Sequence, residues 1–111
     1  MVANAFKFED VDMEQMQENA AKATLLLKSM ANETRLMILC QLVNGEKSVG
    51  ELHNDIPLSQ SALSQHLAIL RRERLVTTTR QAQSIFYSLA SDDVRSVIET
   101  LYGIYCAPDR C

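Results

Sequence analysis

Side chains that both donate and accept hydrogen bonds cluster near the middle of the chain, at Gln60, Ser61, Ser64 and Gln65. They alternate with apolar residues that repeat at the spacing of one helix face, namely Leu63, Leu67 and Leu70. A glutamine amide can pair with adenine through two hydrogen bonds, and free N–H groups at a helix start can bind phosphate. The pattern therefore favours contact with DNA, and an ordinary solvated face is the alternative.

Basic residues follow the same segment, with Arg71, Arg72 and Arg74 at the end of this helix and Arg80 and Gln83 beyond it. Arginines at such places suit phosphates better than bases. The net charge of −3 does not itself indicate a nucleic-acid partner. The distribution of charge does indicate such a partner. Residues 59–90 carry four arginines against one glutamate, whereas residues 1–20 carry five carboxylates against one lysine. For any single arginine, a merely solvated position is an equal alternative.

The thiols of the chain are Cys40, Cys106 and Cys111, and its imidazoles are His53 and His66. A regulatory metal site needs several such groups at converging positions, and no Cys-x-Cys or Cys-x-x-Cys occurs. We therefore expect no metal and no other cofactor. We also expect that the protein is not an enzyme, because the sequence offers no set of nucleophile, base and orienting group. Among enzyme classes, a thiol oxidoreductase is the alternative. His66 should pack or contact a phosphate, and His53 should be exposed.

The elements that position these side chains follow from the spacing of apolar residues. With 111 residues, 47% hydrophobic content, three glycines and two prolines, the sequence fits one mainly helical domain. The periodicity predicts helices at 12–30, 33–43, 48–55, 60–74 and from 92 to before Pro108, and strands at 75–79 and 84–89. We expect a flexible N-terminal arm at 1–11, the folded domain at 12–106 and a C-terminal tail at 107–111.

The order of these elements predicts a winged helix-turn-helix, α-α-α-α-β-β-α, which is mainly α with a small β-hairpin. Ser48 and Glu51 have the spacing of a capping box, Pro57 ends the third helix, and Ser59 can cap the fourth. A short helix, a turn and a second helix form the unit whose second helix enters the major groove. The hairpin would then carry Arg80, Gln81 and Gln83 at its tip.

No run approaches the roughly 18–20 apolar residues that span a bilayer, and the N-terminus does not resemble a signal peptide. We therefore expect a cytoplasmic protein whose cysteines are thiols at rest. Apolar stripes on both terminal helices exceed what one small core easily hides, which predicts a homodimer. A monomer with every stripe internal is the alternative.

Two segments carry a family resemblance: "MANETRLMIL" on the second helix and "LSQSALSQHLAILRRERLV" through the fourth. With the closing "VIETLYGIYC", the chain resembles the ArsR/SmtB family of winged-helix repressors over about residues 14–106, and in particular its metal-independent HlyU/BigR/SqrR-like branch. The resemblance implies a homodimer, built from the first and last helices, that binds imperfect inverted repeats in double-stranded promoter DNA. It implies a repressor, or an antirepressor that displaces another repressor.

The same resemblance implies a role for two thiols. In the sulfide-responsive members of this branch, cysteines at places matching Cys40 and Cys106 form a switch. A disulfide or longer sulfur bridge, made by persulfides or oxidants, would then lower DNA affinity. The residues alone favour a constitutive regulator in which both are small buried hydrophobic side chains and Cys111 is a spectator. A protein-interaction module, whose acidic segment at 9–18 binds a basic partner, is the other alternative.

Overall fold

The computed structural model describes residues 12–105 of the chain. Within them lie α1 (Met13–Met30), α2 (Glu33–Leu42), β1 (Lys47–Ser48), α3 (Val49–Asp55), α4 (Gln60–Arg72), β2 (Val76–Gln81), β3 (Ser84–Leu89) and α5 (Asp92–Tyr105). The predicted arm at 1–11, the tail at 107–111 and Cys106 fall outside the described residues. No helix within 12–105 is both long enough and apolar enough to cross a membrane.

Polar caps begin the helices where the sequence predicts them. Asn32 Oδ1 accepts a hydrogen bond from the backbone N–H of Arg35 at 3.0 Å. Ser48 and Glu51 form the complete capping box, in which each side chain accepts from the other's backbone N–H. Such caps satisfy donors that a helix start otherwise leaves open. They set where α2 and α3 begin.

The turn between α3 and α4 depends on Pro57. The residue before a proline is pushed out of the helical region, and Ile56 accordingly has φ −113° and ψ 119°. Ser59 then caps α4, because its Oγ accepts from the N–H of Ala62 at 3.2 Å. The helix-turn-helix predicted from the sequence is therefore present, and its second helix starts at the predicted residue.

The strands form one antiparallel sheet in the order β1-β3-β2. β2 and β3 pair from Val76 opposite Leu89 to Gln81 opposite Ser84, so the hairpin loop is two residues shorter than predicted. Ala82 makes this tight turn with φ 57°. The short strand β1, which pairs with Tyr87 and Phe86 of β3, was not predicted because two residues carry no readable period.

One apolar core joins α2, α3, α4, the hairpin and α5. Its buried members are Met30, Ile38, Leu39, Leu42, Leu52, Ile56, Leu63, Leu67, Leu70, Leu75, Val76, Val94 and Ile98. The three leucines predicted for the inner face of α4 are at most 1% exposed. Burying a leucine fully contributes about 1.5–3 kcal/mol, so this stripe fixes which face of α4 points outward.

The terminal helices leave apolar side chains uncovered in the single chain. On α1, Met13, Leu25 and Leu27 are 65%, 63% and 57% exposed. On α5, Tyr102 and Tyr105 are 58% and 71% exposed. We call these two surfaces the α1 and α5 apolar faces. The stripes that the sequence assigns to both terminal helices are therefore not all internal to one copy.

Candidate nucleic-acid interface

The outer face of α4 carries every hydrogen-bonding residue predicted for it. The exposed set comprises Ser59, Gln60, Ser61, Ser64 and Gln65. Ser59 Oγ lies 3.3 Å from Ser61 Oγ, which ties the cap to the first turn. The first turn of α4 contains no acidic residue, so nothing there offsets the partial positive charge of the helix start. This surface can donate and accept hydrogen bonds and also accommodate a phosphate.

The arginines at the end of α4 differ in their surroundings. Arg71 and Arg72 are both exposed, but the guanidinium of Arg72 lies 3.3 Å from the carboxylate of Glu73. Both partners are solvated, so the pair contributes little to stability. It nevertheless gives Arg72 a local counter-charge. Arg74 follows with φ 65° and allows the chain to turn from the helix into β2.

The wing is held by a residue that the sequence analysis missed. Arg80 and Gln83 are exposed near the hairpin tip, as predicted. Gln81 is instead committed, because its Nε2 donates to Glu46 Oε1 at 2.9 Å. The second oxygen of Glu46 accepts from Thr79 Oγ1 at 3.5 Å. Glu46 lies 35 residues before Gln81, and no local pattern marks such a pairing.

His66 occupies a half-buried place between α4 and the corner of α1 and α2. Arg35 Nε donates to the carbonyl oxygen of Ser29 at 2.7 Å, and its Nη1 lies 3.5 Å from His66 Nδ1. A guanidinium can only donate, so in this contact the Nη1 group of Arg35 points a donor at Nδ1 of His66. His66 is thus half-buried beside Arg35, and its contact with a phosphate stays a prediction.

Cys40 is exposed on α2. The interpretation of Cys40 as a small buried hydrophobic side chain is wrong, because the side chain is exposed in the single chain. It lines a cavity of about 400 Å³ between the end of α2, β1 and α5. Cys106 directly follows Tyr105, the last described residue, and so lies outside the described part of the chain.

Histidine, cysteine and carboxylate side chains within 12–105 do not gather in any group of three that could hold a metal ion. His53 is exposed, as predicted. A set of at least three or four converging ligands is the usual minimum for a bound transition metal. The described residues therefore provide no such centre.

The fold is a winged helix-turn-helix domain of the DNA-binding class. It consists of a short helix, a bend at Pro57, a second helix with exposed amides and hydroxyls, and a hairpin beside that helix. A family model described as "Bacterial regulatory protein, arsR family" matches residues 32–78. The chain is also 55% identical over 100 residues to the transcriptional activator HlyU of Vibrio cholerae serotype O1. That alignment covers 90% of this chain and 93% of the relative. The chain belongs to the ArsR family.

Further comparisons agree with this placement. The biofilm growth-associated repressor of Agrobacterium fabrum is 43% identical over 101 residues, covering 91% of this chain and 86% of that protein. The solved structure of reduced HlyU from Vibrio cholerae N16961 has a TM-score of 0.81 at 56% identity, covering 85% of this chain and 99% of that chain. These relatives are transcription regulators and not enzymes. The protein is thus a DNA-binding transcription regulator of the HlyU-like branch, as the sequence predicts.

Proposed function

We propose that two copies of this protein bind an inverted repeat in promoter DNA, and that a bridge between Cys40 and Cys106 lowers their affinity for it. The observation that carries the DNA-binding part is the exposed polar face of α4, fixed outward by a buried leucine stripe. Regulators that bind promoters work where the chromosome is, so we place the protein in the bacterial cytoplasm.

In the proposed complex, the N-terminal half of α4 reads base edges in the major groove. Gln60, Ser61, Ser64 and Gln65 face the bases, because they are exposed and project from the first two turns. Phosphates are held by residues around them, namely Ser59, His66, Arg71, Arg72, Arg80 and Gln83. The last two reach the neighbouring groove from the wing. Phosphate contacts set register and affinity, whereas base contacts set specificity.

The dimer is supported by the α1 and α5 apolar faces. A water-exposed tyrosine or leucine on each helix is ordinary, but two faces that both present several such side chains indicate an interaction surface. Twofold pairing through these helices would place two copies of α4 about 34 Å apart, one turn of DNA. An inverted repeat has the matching symmetry.

The first test is sequence-specific binding. Purified protein is expected to retard an upstream promoter fragment over a scrambled fragment of equal length, with affinity falling steeply as salt rises. Gln65→Ala is expected to cost about 1–3 kcal/mol and to relax base preference at one position, because a bidentate contact is lost. Gln17→Ala, on α1, is the matched control and should leave base preference unchanged. Binding that ignores sequence would instead favour the protein-interaction module.

The thiol switch is supported by the exposure of Cys40 beside the end of α5, the helix that leads directly into Cys106. One solved structure of the HlyU relative is of the reduced protein. An organic disulfide can make the bridge in two exchanges. The thiolate of one cysteine attacks the reagent and releases one thiol, and the second cysteine releases the other. Two protein thiols are oxidised while the reagent is reduced to two thiols.

The switch is tested by treating reduced protein with an organic disulfide or polysulfide and recording intact mass and promoter affinity. Wild type is expected to gain an internal bridge and to lose affinity. Cys40→Ser and Cys106→Ser should retain affinity after treatment, whereas Cys111→Ser should respond like wild type. Unchanged affinity of modified wild-type protein, or the same response in Cys40→Ser, would end the switch proposal and leave a constitutive regulator.

A further inference from the structure

The cavity beside Cys40 has walls of mixed chemistry. Its volume is about 400 Å³, enough for a small organic molecule. Its lining residues are Cys40, Gln41, Val43, Asn44, Lys47, Ile98 and Tyr102. One part of the wall is apolar, and the other consists of two amides and one ammonium group. No carboxylate side chain lines it.

The charge balance around this cavity favours an anion. Lys47 is half-buried and forms no salt bridge with another described residue. The pKa of Glu51 is lowered mainly by the Ser48 backbone N–H, which its Oε1 accepts at 2.9 Å, and least by Lys47, so this carboxylate offsets only part of the ammonium charge. Glu51 does not line the cavity. The exposed carbonyls at the end of α2 would repel an anion, but the guanidinium of Arg95 donates to the carbonyl oxygen of Val43. The negative end of that helix is thereby offset.

We propose that this cavity is a binding site for small organic carboxylates, with Lys47 holding the carboxylate group. Gln41 and Asn44 can donate amide hydrogens to the same group, and the apolar part of the molecule would pack on Val43 and Tyr102. The site needs the apolar wall as well as the ammonium group of Lys47, since an ammonium group alone would leave a small anion hydrated in water. No local pattern predicts this site, because its lining comes from three separate elements.

This inference deepens the proposed function and rests on it for its regulatory meaning. A thiol reagent that carries a carboxylate would be held with its reactive atom near Cys40, whereas a neutral reagent would not. The cavity would therefore select carboxylate-bearing organic disulfides and polysulfides as the modifying compounds. Binding of the carboxylate itself is independent of what the modification does to DNA affinity.

Two alkylating reagents of nearly equal size separate the charge effect from the reactivity of the thiol. Iodoacetate is anionic and iodoacetamide is neutral. With either reagent the sulfur of Cys40 forms a bond to carbon, the carbon–iodine bond breaks, and iodide leaves. Rates are measured by quenching and intact mass in a Cys106→Ser, Cys111→Ser background, in which Cys40 is the remaining thiol. The ratio of the two rates reports the preference for an anion.

The rate with iodoacetate divided by the rate with iodoacetamide is expected to be about fivefold higher in the folded protein than in urea, because the ammonium group of Lys47 attracts the carboxylate of iodoacetate. Lys47→Gln should remove this gain and Lys47→Arg should keep most of it. Lys28→Gln, which removes a lysine from α1, is the matched control and should keep it fully. High salt should reduce the ratio in every variant that shows it.

A second measurement uses an unreactive ligand. 3-(Methylthio)propionate should slow the iodoacetamide reaction of Cys40, and its neutral amide should not. Lys47→Gln should abolish this protection. Equal rate ratios in wild type and Lys47→Gln, or protection by the amide as well as the acid, would overturn the proposal. Failure of the thiol switch would appear only as unchanged promoter affinity, which neither measurement uses.

Discussion

At the scale of single residues, polar side chains on α4 and on the wing contact partners far away in the sequence. Arg35 contacts His66 across 31 residues, and Glu46 accepts from Gln81 across 35. Each contact fixes a polar group that would otherwise move freely. Glu46 also brings a negative charge close to the tip of the wing, where it holds Gln81, while Arg80 and Gln83 stay exposed.

The two arginines at the end of α4 are expected to differ in their effect on DNA binding. Arg71→Ala should lower affinity for every sequence similarly and reduce the slope of log affinity against log salt by about one. Arg72→Ala should change the slope less, because Glu73 already neutralises part of that charge. Fluorescence anisotropy at several salt concentrations measures both slopes.

Glu73→Gln provides the check on this difference. With the counter-charge gone, the effect of Arg72→Ala measured in the Glu73→Gln background should rise to that of Arg71→Ala. Equal slopes for Arg71→Ala and Arg72→Ala in the otherwise wild-type protein would contradict the argument.

At the scale of elements, local signals were enough to place the helix starts. Ser48 with Glu51, Pro57 and Ser59 are each recognisable within four residues, because capping and proline effects act over that distance. The strand β1 was missed, and so were the cavity and the contacts of Glu46. All three depend on segments that are brought together only by folding, and spacing along one element carries no information about them.

The capping box of α3 makes stability depend on pH. The pKa of Glu51 is held below its ordinary value of 4.5, mainly by the hydrogen bond from the Ser48 backbone N–H. The folded state therefore favours the charged form of Glu51. The stability that this charged form contributes is complete above pH 4.5 and is lost as pH falls through the lowered pKa of the folded state. Glu51→Gln should flatten this part of the pH profile, as measured by urea unfolding at a series of pH values.

Glu99→Gln, an exposed carboxylate on α5 outside any cap, is the matched control for that profile. Its pH dependence should follow wild type. If Glu51→Gln showed the same loss of stability on acidification as wild type, the box would not be the source of the dependence.

At the scale of the whole molecule, the sequence predicted the order of the elements apart from β1, and also the position of α4, since both follow from apolar periodicity. It also predicted that the terminal helices carry more apolar surface than one core hides. The structure leaves Leu25 and Leu27 of α1 uncovered in one chain. Which residues meet across a dimer could not be read from the sequence, because the same stripe pattern serves internal and external packing.

Leu27→Glu is expected to weaken the proposed dimer without unfolding the chain, because that side chain is 57% exposed in a single copy. Sedimentation velocity should show a shift towards monomer, while circular dichroism should keep its helical signal. Affinity for a full inverted repeat should fall much more than affinity for one half-site. Asn54→Asp, at an exposed position on α3, is the control for oligomeric state, and a Leu27→Glu protein that sediments like it would argue against pairing through α1.

The pairing of β1 with β3 has a consequence for the partner rather than for the protein. Because β1 leads straight into α3 and pairs with β3, backbone hydrogen bonds tie the wing to the start of the helix-turn-helix. In the proposed complex, a mismatch between this joined surface and the operator would be absorbed by bending or twisting of the duplex. The stiffness of base pairs that no side chain touches would then enter the choice of promoter.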